Sequence, residues 1–219
     1  IKSIQNIDYK NYEIIVVDDC STAEVNRILF EQQEKYHNII TIRVPKNIGL
    51  AKAREVGLRA SSGQFIFFTD DDDLVLSNRI NSPLQHIIEN PKLDVVYCNY
   101  NIFDDQGFFK SIYCLPFNQQ SYLNLEFYIG SGILFGRKEP FINVPFRSRY
   151  NHALDFDWVF RLIRMGYEID LCPEIVMNYN RSGPVDQHLS GTAKSMEQHK
   201  EVYDREELLN QIKRSNLTN

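Results

Sequence analysis

The chain has 219 residues, of which 43% are hydrophobic, and its 24 Lys and Arg against 29 Asp and Glu leave a formal net charge of -5. This length and apolar content are enough for one large folded domain with a real core. The acidic balance excludes a broad basic surface for nucleic acid, although a local cationic site or a metal could still hold a diphosphate. No apolar run approaches the roughly 18 residues of a membrane-spanning helix, and no signal peptide opens the chain. We therefore expect a soluble, cytoplasmic protein.

The cysteines are widely spaced along the chain and form no C-x-x-C pair; they are Cys20, Cys98, Cys114 and Cys172. This spacing argues against a zinc knuckle and against a dense disulfide framework. It fits a reducing compartment, in agreement with a cytoplasmic location.

The first predicted strand is the β-branched run from Ile14 to Val17 in "YEIIVVDDCS", which is continuous as in the strands of a covered parallel sheet. Ser21 then predicts the N-cap of a helix, and Glu24 three residues later completes a capping box. The apolar residues of this helix recur at helical spacing, so we expect them to form its buried face. They are Val25, Ile28 and Leu29.

Strands and helices then alternate as far as residue 100. The predicted elements are a strand over 38–44, a helix over "GLAKAREVGLRASSG", a strand over "QFIFFTD", a mostly helical segment over 77–90 and a strand over "LDVVYCNY". The Ser-Ser-Gly sequence ends the second helix. This alternation predicts an α/β fold, with an α/β/α sandwich around a mostly parallel central sheet.

The pattern loosens between residues 101 and 149 into aromatic, turn-rich sequence, with a turn predicted at "DDQG". A helix resumes at "LDFDWVFRLIRMG", which Gly166 closes. Its apolar face comprises Leu154, Trp158, Leu162 and Met165. "YEIDLCP" predicts the last strand, and the polar tail from Thr192 is predicted to be helical. No repeat or linker divides the chain, so we expect one domain.

Two clusters of acids follow two of the predicted strands. The pair Asp18–Asp19 comes after "IIVV", and the run Asp70–Asp73 comes after "FIFFT". Four acids in a row most often form a solvated loop, but ligands of open α/β sheets bind at the carboxyl ends of parallel strands. In an extended segment the first and third acids of the run would share one face while the second points away. Two carboxylates facing one pocket suit Mg²⁺ or Mn²⁺, with phosphate oxygens as further ligands.

Four motifs in series resemble those of the family-2 glycosyltransferases, inverting enzymes of the GT-A fold that use nucleotide-diphospho sugars. "YEIIVVDDCS" resembles the family's strand that ends in a nucleotide-binding aspartate, and "NIGLAKAREVGL" resembles its N-x-G…A-R-x-x-G segment. "FFTDDDDL" resembles its D-x-D-D metal motif, and "LDFDWVFRL" resembles its E-D-x-D helix with the catalytic base. The resemblance extends from about residue 1 to about residue 190.

The resemblance implies a single GT-A glycosyltransferase domain over residues 1–219. Within it, residues 1–100 would bind the nucleotide sugar, residues 101–190 would bind the acceptor, and residues 191–219 would form the polar helical tail. The implied reaction is metal-dependent transfer of a sugar, with inversion, from a UDP-sugar or a related donor to an acceptor hydroxyl. The implied setting is polysaccharide or glycoconjugate synthesis, with a saccharide or lipid-linked acceptor and peripheral contact with the inner face of the membrane.

The family's site residues carry over onto the matching positions of this chain. These positions are Asp18 and Asp19 for the nucleoside, Arg54 for the nucleotide or its phosphates, Asp70 with Asp71 for the ribose or sugar, Asp72 for the metal, Asp155 as the general base, and His188 for the metal or diphosphate. The implied metal is Mn²⁺ or Mg²⁺, which would stabilise the leaving diphosphate while the base deprotonates the acceptor.

Simpler explanations stay open for several of these residues. Asp18 and Asp19 could cap the following helix, where carboxylates are favoured. Arg54 could pair with the adjacent Glu55 or with an acid of the tail, and His188 could be an ordinary surface residue. The roles implied by the resemblance are therefore hypotheses that depend on where the fold places each side chain.

The acids of the "LDFDWVFRL" helix have different expected roles. Asp157 has Arg161 four residues further on and is interpreted as part of a structural ion pair, so Asp155 is preferred as the base. The "GSGILFG" segment fits either an acceptor wall or a plain strand. The Tyr and Phe residues between 97 and 150 fit either stacking on acceptor sugars or core packing.

Three departures from the family pattern matter for function. The family's opening strand, of the type S-I-I-I-P-x-Y-N, is not recognisable in "IKSIQNIDYKNYE"; this suggests a truncated sequence and would leave neighbouring strands unpaired. Glu55 stands where the family usually has asparagine, and Leu154 replaces the glutamate of its E-D pair. A catalytically degenerate nucleotide- or metal-binding module is therefore the alternative. A nucleotidyltransferase is less favoured, because we find no Gly-rich basic loop near the start.

Overall fold

The computed structural model describes residues 1–124, 126–150, 153–182, 197–205 and 207. The strands are β1 (Ile14–Asp18), β2 (Ile39–Arg43), β3 (Phe65–Phe67), β4 (Leu74–Val75), β5 (Val95–Phe103), β6 (Phe109–Ile112), β7 (Leu134–Arg137) and β8 (Ile169–Asn180). The helices are α1 (Ala23–Lys35), α2 (Leu50–Ala60), α3 (Asn81–Glu89), α4 (Gln119–Leu123), α5 (Lys138–Asn143) and α6 (Leu154–Arg164), and residues 197–205 form a further helical segment. None of the described helices combines the length and the apolar character needed to cross a bilayer.

The strands form two sheets. In the smaller sheet β1 and β2 are parallel, and the larger sheet has the order β3-β7-β5-β8-β4 with β6 added beside β5. In the larger sheet β5 and β8 are parallel, whereas the other pairs within the described residues are antiparallel. The predicted α/β class is confirmed, but this sheet is mixed and not mostly parallel. One reason is that the tight turn at Asp104–Gly107 returns the chain directly beside β5, and such a turn joins antiparallel strands.

The strand directions place the acidic run at the end of the larger sheet where β3, β5 and β8 terminate. Both β3 and β5 are antiparallel to β7, so they run in the same direction, and β8 runs parallel to β5. The carboxyl ends of these strands therefore lie at the same end of the sheet, which is where α/β sheets place their ligands. The acids after β3 lie at this end.

Helix α6 lies within the core, and residues on all its sides are buried. Trp158 is fully buried and stacks on Phe141 at 4.6 Å and on Phe146 at 5.4 Å between ring centroids. Gly166 has a φ of 84° and ends the helix, as predicted. The predicted apolar face is buried except for Met165, which is 58% exposed because it lies beyond the last helical turn.

Helix α1 differs from its prediction in its cap and in its packing. The N-cap is Thr22, whose hydroxyl accepts from Val25 N at 3.4 Å, whereas Ser21 N donates to Asp18 Oδ1 at 2.8 Å. The predicted face is not buried, since Val25 and Ile28 are 41% and 43% exposed. The helix packs against a strand of the two-stranded sheet, which leaves much of the face uncovered.

A cavity of about 880 Å³ lies between β1 and β3, and helices α2 and α3 contribute to its lining. Ile14 N donates to Asn38 O, so by alternation Ile15 and Val17 turn their peptide groups away from β2 and towards this cavity. Within the described residues, neither β1 nor β3 has a strand partner on this side.

Glu13 connects the two sheets where they begin. Its Oε1 accepts from Ser62 N at 2.6 Å, from the Ser62 hydroxyl at 2.8 Å and from Gly63 N at 2.9 Å. Glu13 directly precedes β1, and the Ser62–Gly63 loop leads into β3. One carboxylate therefore holds the starts of these strands together without a backbone ladder between them.

Candidate functional site

The acids after β3 lie in a tight turn and not in an extended segment. Asp73 N donates to Asp70 O at 3.4 Å, which closes the turn. The prediction that side chains alternate along an extended run is therefore wrong here. Asp73 is only 7% exposed and accepts from Asn180 N at 3.0 Å. Burial raises the pKa of Asp73 to about 7, with a further contribution from Asp70 and Asp72. The run therefore consists of three exposed acids and one buried acid that ties the turn to the end of β8.

Arg54 on α2 connects this turn to helix α6. Its Nη2 donates to Asp70 Oδ1 at 3.3 Å and its Nη1 donates to Asp155 Oδ1 at 3.0 Å. The Arg54 side chain is only 7% exposed, and burial opposes its charge, but the two carboxylates raise its pKa so that it stays cationic. The alternative pairing with Glu55 is not formed, because Glu55 accepts from Arg59 at 2.7 Å on the exposed side of the helix.

Asp155 and Asp157, both in the first turn of α6, have different environments. The Tyr128 hydroxyl donates to Asp155 Oδ2 at 3.0 Å, and the Asp155 side chain stays 18% exposed. Asp157 is fully buried and pairs with Arg161 at 2.7 Å and with Arg147 at 3.0 Å. The predicted structural ion pair of Asp157 is confirmed. Asp155 is the acid of this helix that faces the Asp70 turn, and its role as the base stays a prediction.

Asp18, at the end of β1, is engaged in structural contacts. Its carboxylate is fully buried, pairs with Arg43 and accepts from Ser21 N. Burial acts to raise the pKa of Asp18, but its hydrogen bonds and Arg43 lower it overall, so the group is ionised at neutral pH. Asp18 does not cap α1, because the group that it accepts from, Ser21 N, lies ahead of the Thr22 N-cap. Its contact with a nucleoside stays a prediction.

Asp19 fixes the start of helix α2. Its two carboxylate oxygens accept from Ile48 N at 2.7 Å and from Gly49 N at 2.9 Å. Gly49 is the N-cap of α2 and has a φ of 81°, a conformation that glycine adopts without a steric penalty. Asp19 therefore helps to position the helix that carries Arg54, and its contact with a nucleoside stays a prediction.

The exposed acids of the turn are candidate ligands for a divalent cation. Within the described residues, Asp71 and Asp72 form no hydrogen bond or ion pair, and no three acid, His or Cys side chains converge as a complete metal site. Burial raises the pKa of Asp70, and Asp155 and Asp72 add to this effect against Arg54, so negative charge is in excess here. A carboxylate such as Asp72 suits Mg²⁺ or Mn²⁺ that takes other oxygens from a diphosphate. The predicted ligand His188 lies outside the described residues.

Tyr128 and Arg79 are two residues that the sequence did not single out. Arg79 is fully buried, and its Nη2 donates to Gly132 O at 2.9 Å and to Leu134 O at 2.8 Å. Its guanidinium also lies 4.5 Å from the centroid of the Phe67 ring, and burial lowers its pKa to about 10. An arginine in polar sequence ahead of a helix gives no sign of such burial. Tyr128 lies in the loosely patterned region, where no periodicity marks individual residues.

The fold and the site define an α/β protein in which an exposed acidic turn and a helix-borne acid meet around one buried arginine. Such an arrangement can hold a cation beside an anionic ligand and can offer a carboxylate as a base. Residues 1–162 match the family described as Glycosyl transferase family 2. This match covers well over half of the chain, and the chain belongs to that family.

Relatives with partial similarity carry glycosyltransferase names. The uncharacterized glycosyltransferase MJ1057 of Methanocaldococcus jannaschii is 26% identical over 191 residues, which cover 82% of this chain and 63% of that protein. The UDP-Glc:alpha-D-GlcNAc-diphosphoundecaprenol beta-1,3-glucosyltransferase WfaP of Escherichia coli is 34% identical over 105 residues, which cover 48% of this chain and 41% of that protein. The chain therefore spans less than two thirds of the length of either relative.

Solved structures share the fold at low sequence identity. The S. aureus TarS 1-349 structure in complex with UDP-GlcNAc superposes with a TM-score of 0.69 and 20% identity, covering 86% of this chain and 55% of that chain. The corresponding structure with UDP gives a TM-score of 0.68 at 19% identity, covering 82% and 54% of the two chains. This likeness confirms the expected GT-A type of α/β fold.

Proposed function

We propose that this chain transfers a sugar from a UDP-sugar to an acceptor hydroxyl, with inversion and with the help of a divalent cation. The observation that carries the proposal is the placement of Asp70 and Asp155 on the two ends of the Arg54 guanidinium, at 3.3 Å and 3.0 Å. An acid of the donor motif and the candidate base are thereby held in one site. Family membership supports the reaction class, and the UDP donors in the names of WfaP and of the TarS complexes support the nucleotide.

In the proposed reaction Asp155 takes the proton from the acceptor hydroxyl. The acceptor oxygen attacks the anomeric carbon from the face opposite the diphosphate, the bond from that carbon to the diphosphate oxygen breaks, and UDP leaves with those electrons. Arg54 is cationic and buried beside both acids, so it holds the Asp155 carboxylate in the site and lies ready to contact the nucleotide. Displacement from the opposite face inverts the configuration of the sugar.

Asp72 would hold Mn²⁺ or Mg²⁺ together with the donor diphosphate, and His188 is the second proposed ligand. When bound, the cation supplies Lewis-acid stabilisation of the leaving diphosphate. The acidic run favours this assignment, because it places Asp72 beside Asp70 and Asp71 on an exposed turn, where a bound cation would offset the repulsion between like charges. Asp18, Asp19 and Asp71 complete the proposed donor side.

The proposed acceptor is a saccharide or a lipid-linked saccharide in polysaccharide or glycoconjugate synthesis. The name of WfaP, with its diphosphoundecaprenol acceptor, supports the lipid-linked form. We propose a cytoplasmic location at the inner face of the membrane. The wide spacing of the four cysteines, without a C-x-x-C pair, supports a reducing compartment.

The test is calorimetric titration of UDP, then of GDP and TDP, into the protein with and without Mn²⁺. We expect Mn²⁺-dependent binding of UDP that is lost in Asp72→Ala and kept in Asp105→Ala, a control that removes an exposed acid from the β5–β6 turn. Binding of UDP that does not depend on Mn²⁺ or on Asp72 would refute the proposed metal site. Binding of none of the three nucleotides would refute the donor assignment.

A degenerate binding module is the second candidate, and one observation favours it: both oxygens of the Asp155 carboxylate already have protein partners. UDP-glucose and UDP-GlcNAc, incubated with Mn²⁺ and followed for UDP release, distinguish the two candidates. UDP release that disappears in Asp155→Asn establishes an enzyme. Tight UDP binding without any turnover of either donor, in water or with added saccharides, establishes the binding module.

A further inference from the structure

The Asp155 carboxylate has one contact on each oxygen. Arg54 Nη1 donates to Oδ1 at 3.0 Å, and the Tyr128 hydroxyl donates to Oδ2 at 3.0 Å. Two donors on opposite oxygens fix the plane of a carboxylate, whereas a single donor leaves it free to turn. Each oxygen keeps a lone pair for another hydrogen bond, so the carboxylate can still accept the proton of an incoming hydroxyl group.

Tyr128 itself is not held by regular secondary structure. It lies in the irregular segment between α4 and the short turn at Ser131–Ile133, and 40% of the residue is exposed. A hydroxyl on such a segment keeps a fixed position only when the ring is packed. The partners of the ring therefore decide whether Tyr128 can orient Asp155.

The Tyr128 ring is the first member of a column of four rings, which we call the ring column. Tyr128 stacks on His199 with centroids 5.5 Å apart and planes 20° apart, and His199 packs on Phe156 at 4.7 Å. Phe156 stacks in turn on Tyr122 at 5.2 Å, and both of these residues are buried. Because Phe156 adjoins Asp155 in the chain, the column connects Tyr128 to the same helix that carries the carboxylate.

We propose that Tyr128 is a positioning residue for Asp155 and that His199, from the helical segment 197–205, holds the Tyr128 ring in place. This inference rests on the proposed function, in which Asp155 is the base. Partial burial and the Asp155 carboxylate raise the pKa of Tyr128, so its hydroxyl keeps its proton and stays a donor at neutral pH. The helical segment 197–205 thus contributes to the site through a ring contact, and Tyr128 contributes through the orientation of the carboxylate.

The first test replaces the hydroxyl alone. The assay measures UDP release with Mn²⁺ and with water as the acceptor, and it uses whichever of UDP-glucose and UDP-GlcNAc reacts faster. In Tyr128→Phe we expect kcat in this assay to fall about tenfold. The KM for the donor and the affinity for UDP should not change, because Tyr128 contacts Asp155 and not the donor motif. Tyr113→Phe is the control, since Tyr113 is 72% exposed and directly follows β6. A kcat equal to that of the wild type overturns the proposal.

The second test concerns the ring column. His199→Ala should lower kcat as Tyr128→Phe does, whereas His199→Phe, which keeps a flat ring for stacking, should restore most of the rate. If the phenylalanine variant is as slow as the alanine variant, the stacking contact is not what holds Tyr128. A wild-type rate in His199→Ala would overturn the role of the helical segment.

A third measurement keeps the inference independent of activity. The protein is labelled with tyrosine carrying ¹³C at the ring carbon that bears the hydroxyl, and the Tyr128 signal is assigned by its loss in Tyr128→Phe. In Asp155→Asn we expect this signal to shift and the pKa of Tyr128 to fall, because the carboxylate that raises it is removed. An unchanged signal overturns the contact. If the signal shifts in Asp155→Asn but the wild-type protein turns over no donor, the proposed function is refuted and the Tyr128 contact remains supported.

Discussion

Arg54 Nη1 lies 3.0 Å from Asp155 Oδ1, although 101 positions separate the two residues in the chain. The same guanidinium reaches Asp70 Oδ1 at 3.3 Å, so one buried cation joins the acidic turn after β3 to the start of α6. Its side chain is 7% exposed, and such a cation is stable in the core only when carboxylates neutralise it. This relationship makes the site a single electrostatic unit.

Arg54→Lys should lower both stability and turnover, because an ammonium group lacks the planar fork that reaches two carboxylates at once. We expect the free energy of unfolding to fall by about 1.5–3 kcal/mol, the range for hydrogen bonds to charged groups. Urea unfolding measures this change. Arg59→Lys is the matched control on the same helix, since its pair with Glu55 is exposed and should contribute less than about 1 kcal/mol. Equal effects of the two substitutions would contradict the central role of Arg54.

Asp155→Asn and Asp157→Asn should have different consequences, although the two residues lie in the same helical turn. Asp155→Asn should lower UDP release by a factor of about 10²–10⁴, as expected for loss of a general base, and should leave UDP affinity unchanged. Asp157→Asn should act mainly on stability, by about 3–5 kcal/mol, because it removes the buried charge that pairs with Arg161 and Arg147. Calorimetry and urea unfolding separate the two effects. Full turnover by Asp155→Asn would exclude it as the base.

Glu13 should make stability depend on pH on the acidic side. Burial acts to raise the pKa of Glu13, but hydrogen bonds from Ser62 and Gly63 lower it below its usual 4.5. A lowered carboxylate pKa stabilises the folded state above the unfolded pKa, and this stabilisation is lost as the pH falls through 4.5 towards the folded pKa.

Glu13→Gln should therefore reduce the free energy of unfolding by about 1–3 kcal/mol at pH 7, and the difference from the wild type should shrink below pH 4.5. Urea unfolding at a series of pH values measures this difference. Glu34→Gln is the control, because Glu34 is exposed on α1. If the difference in the free energy of unfolding stays constant down to pH 3, the charge of Glu13 does not contribute to holding the start of β3.

Gly136 in β7 should tolerate no side chain, because the backbone of β5 approaches it closely. A Cβ atom at this position would lie 2.8 Å from Asp94 O and 3.1 Å from Val95 Cα. Gly136→Ala should therefore destabilise the fold by about 1–3 kcal/mol, the usual cost of overpacking. Gly132→Ala is the control, since its nearest neighbours would be at ordinary contact distances of 3.6–3.7 Å. Thermal unfolding of both variants checks the prediction, which a normal melting temperature for Gly136→Ala would contradict.

Local patterns predicted much of the fold correctly. The β-branched run of β1, the helix α2 and the helix α6 with its terminal glycine all appear where the sequence places them. The ion pair between Asp157 and Arg161 was also predictable, because residues four apart meet on one face of a helix. The errors concern features that neighbours decide. Ser21 is not the N-cap of α1, because its N–H group donates to Asp18 and the helix begins after Thr22, which is the cap.

The sequence by itself determined the family, the run of strands and helices, and the acids that follow β1 and β3, because periodicity and short motifs are local properties of the chain. The tertiary structure alone decided that Arg54 joins Asp70 to Asp155, that Asp73 is buried, and that the larger sheet is mixed. It also decided that a tyrosine from an irregular segment orients towards Asp155 over the ring of His199. Each of these features joins residues that are distant in the chain or depends on how much of a side chain the packed core covers. No local pattern carries that information.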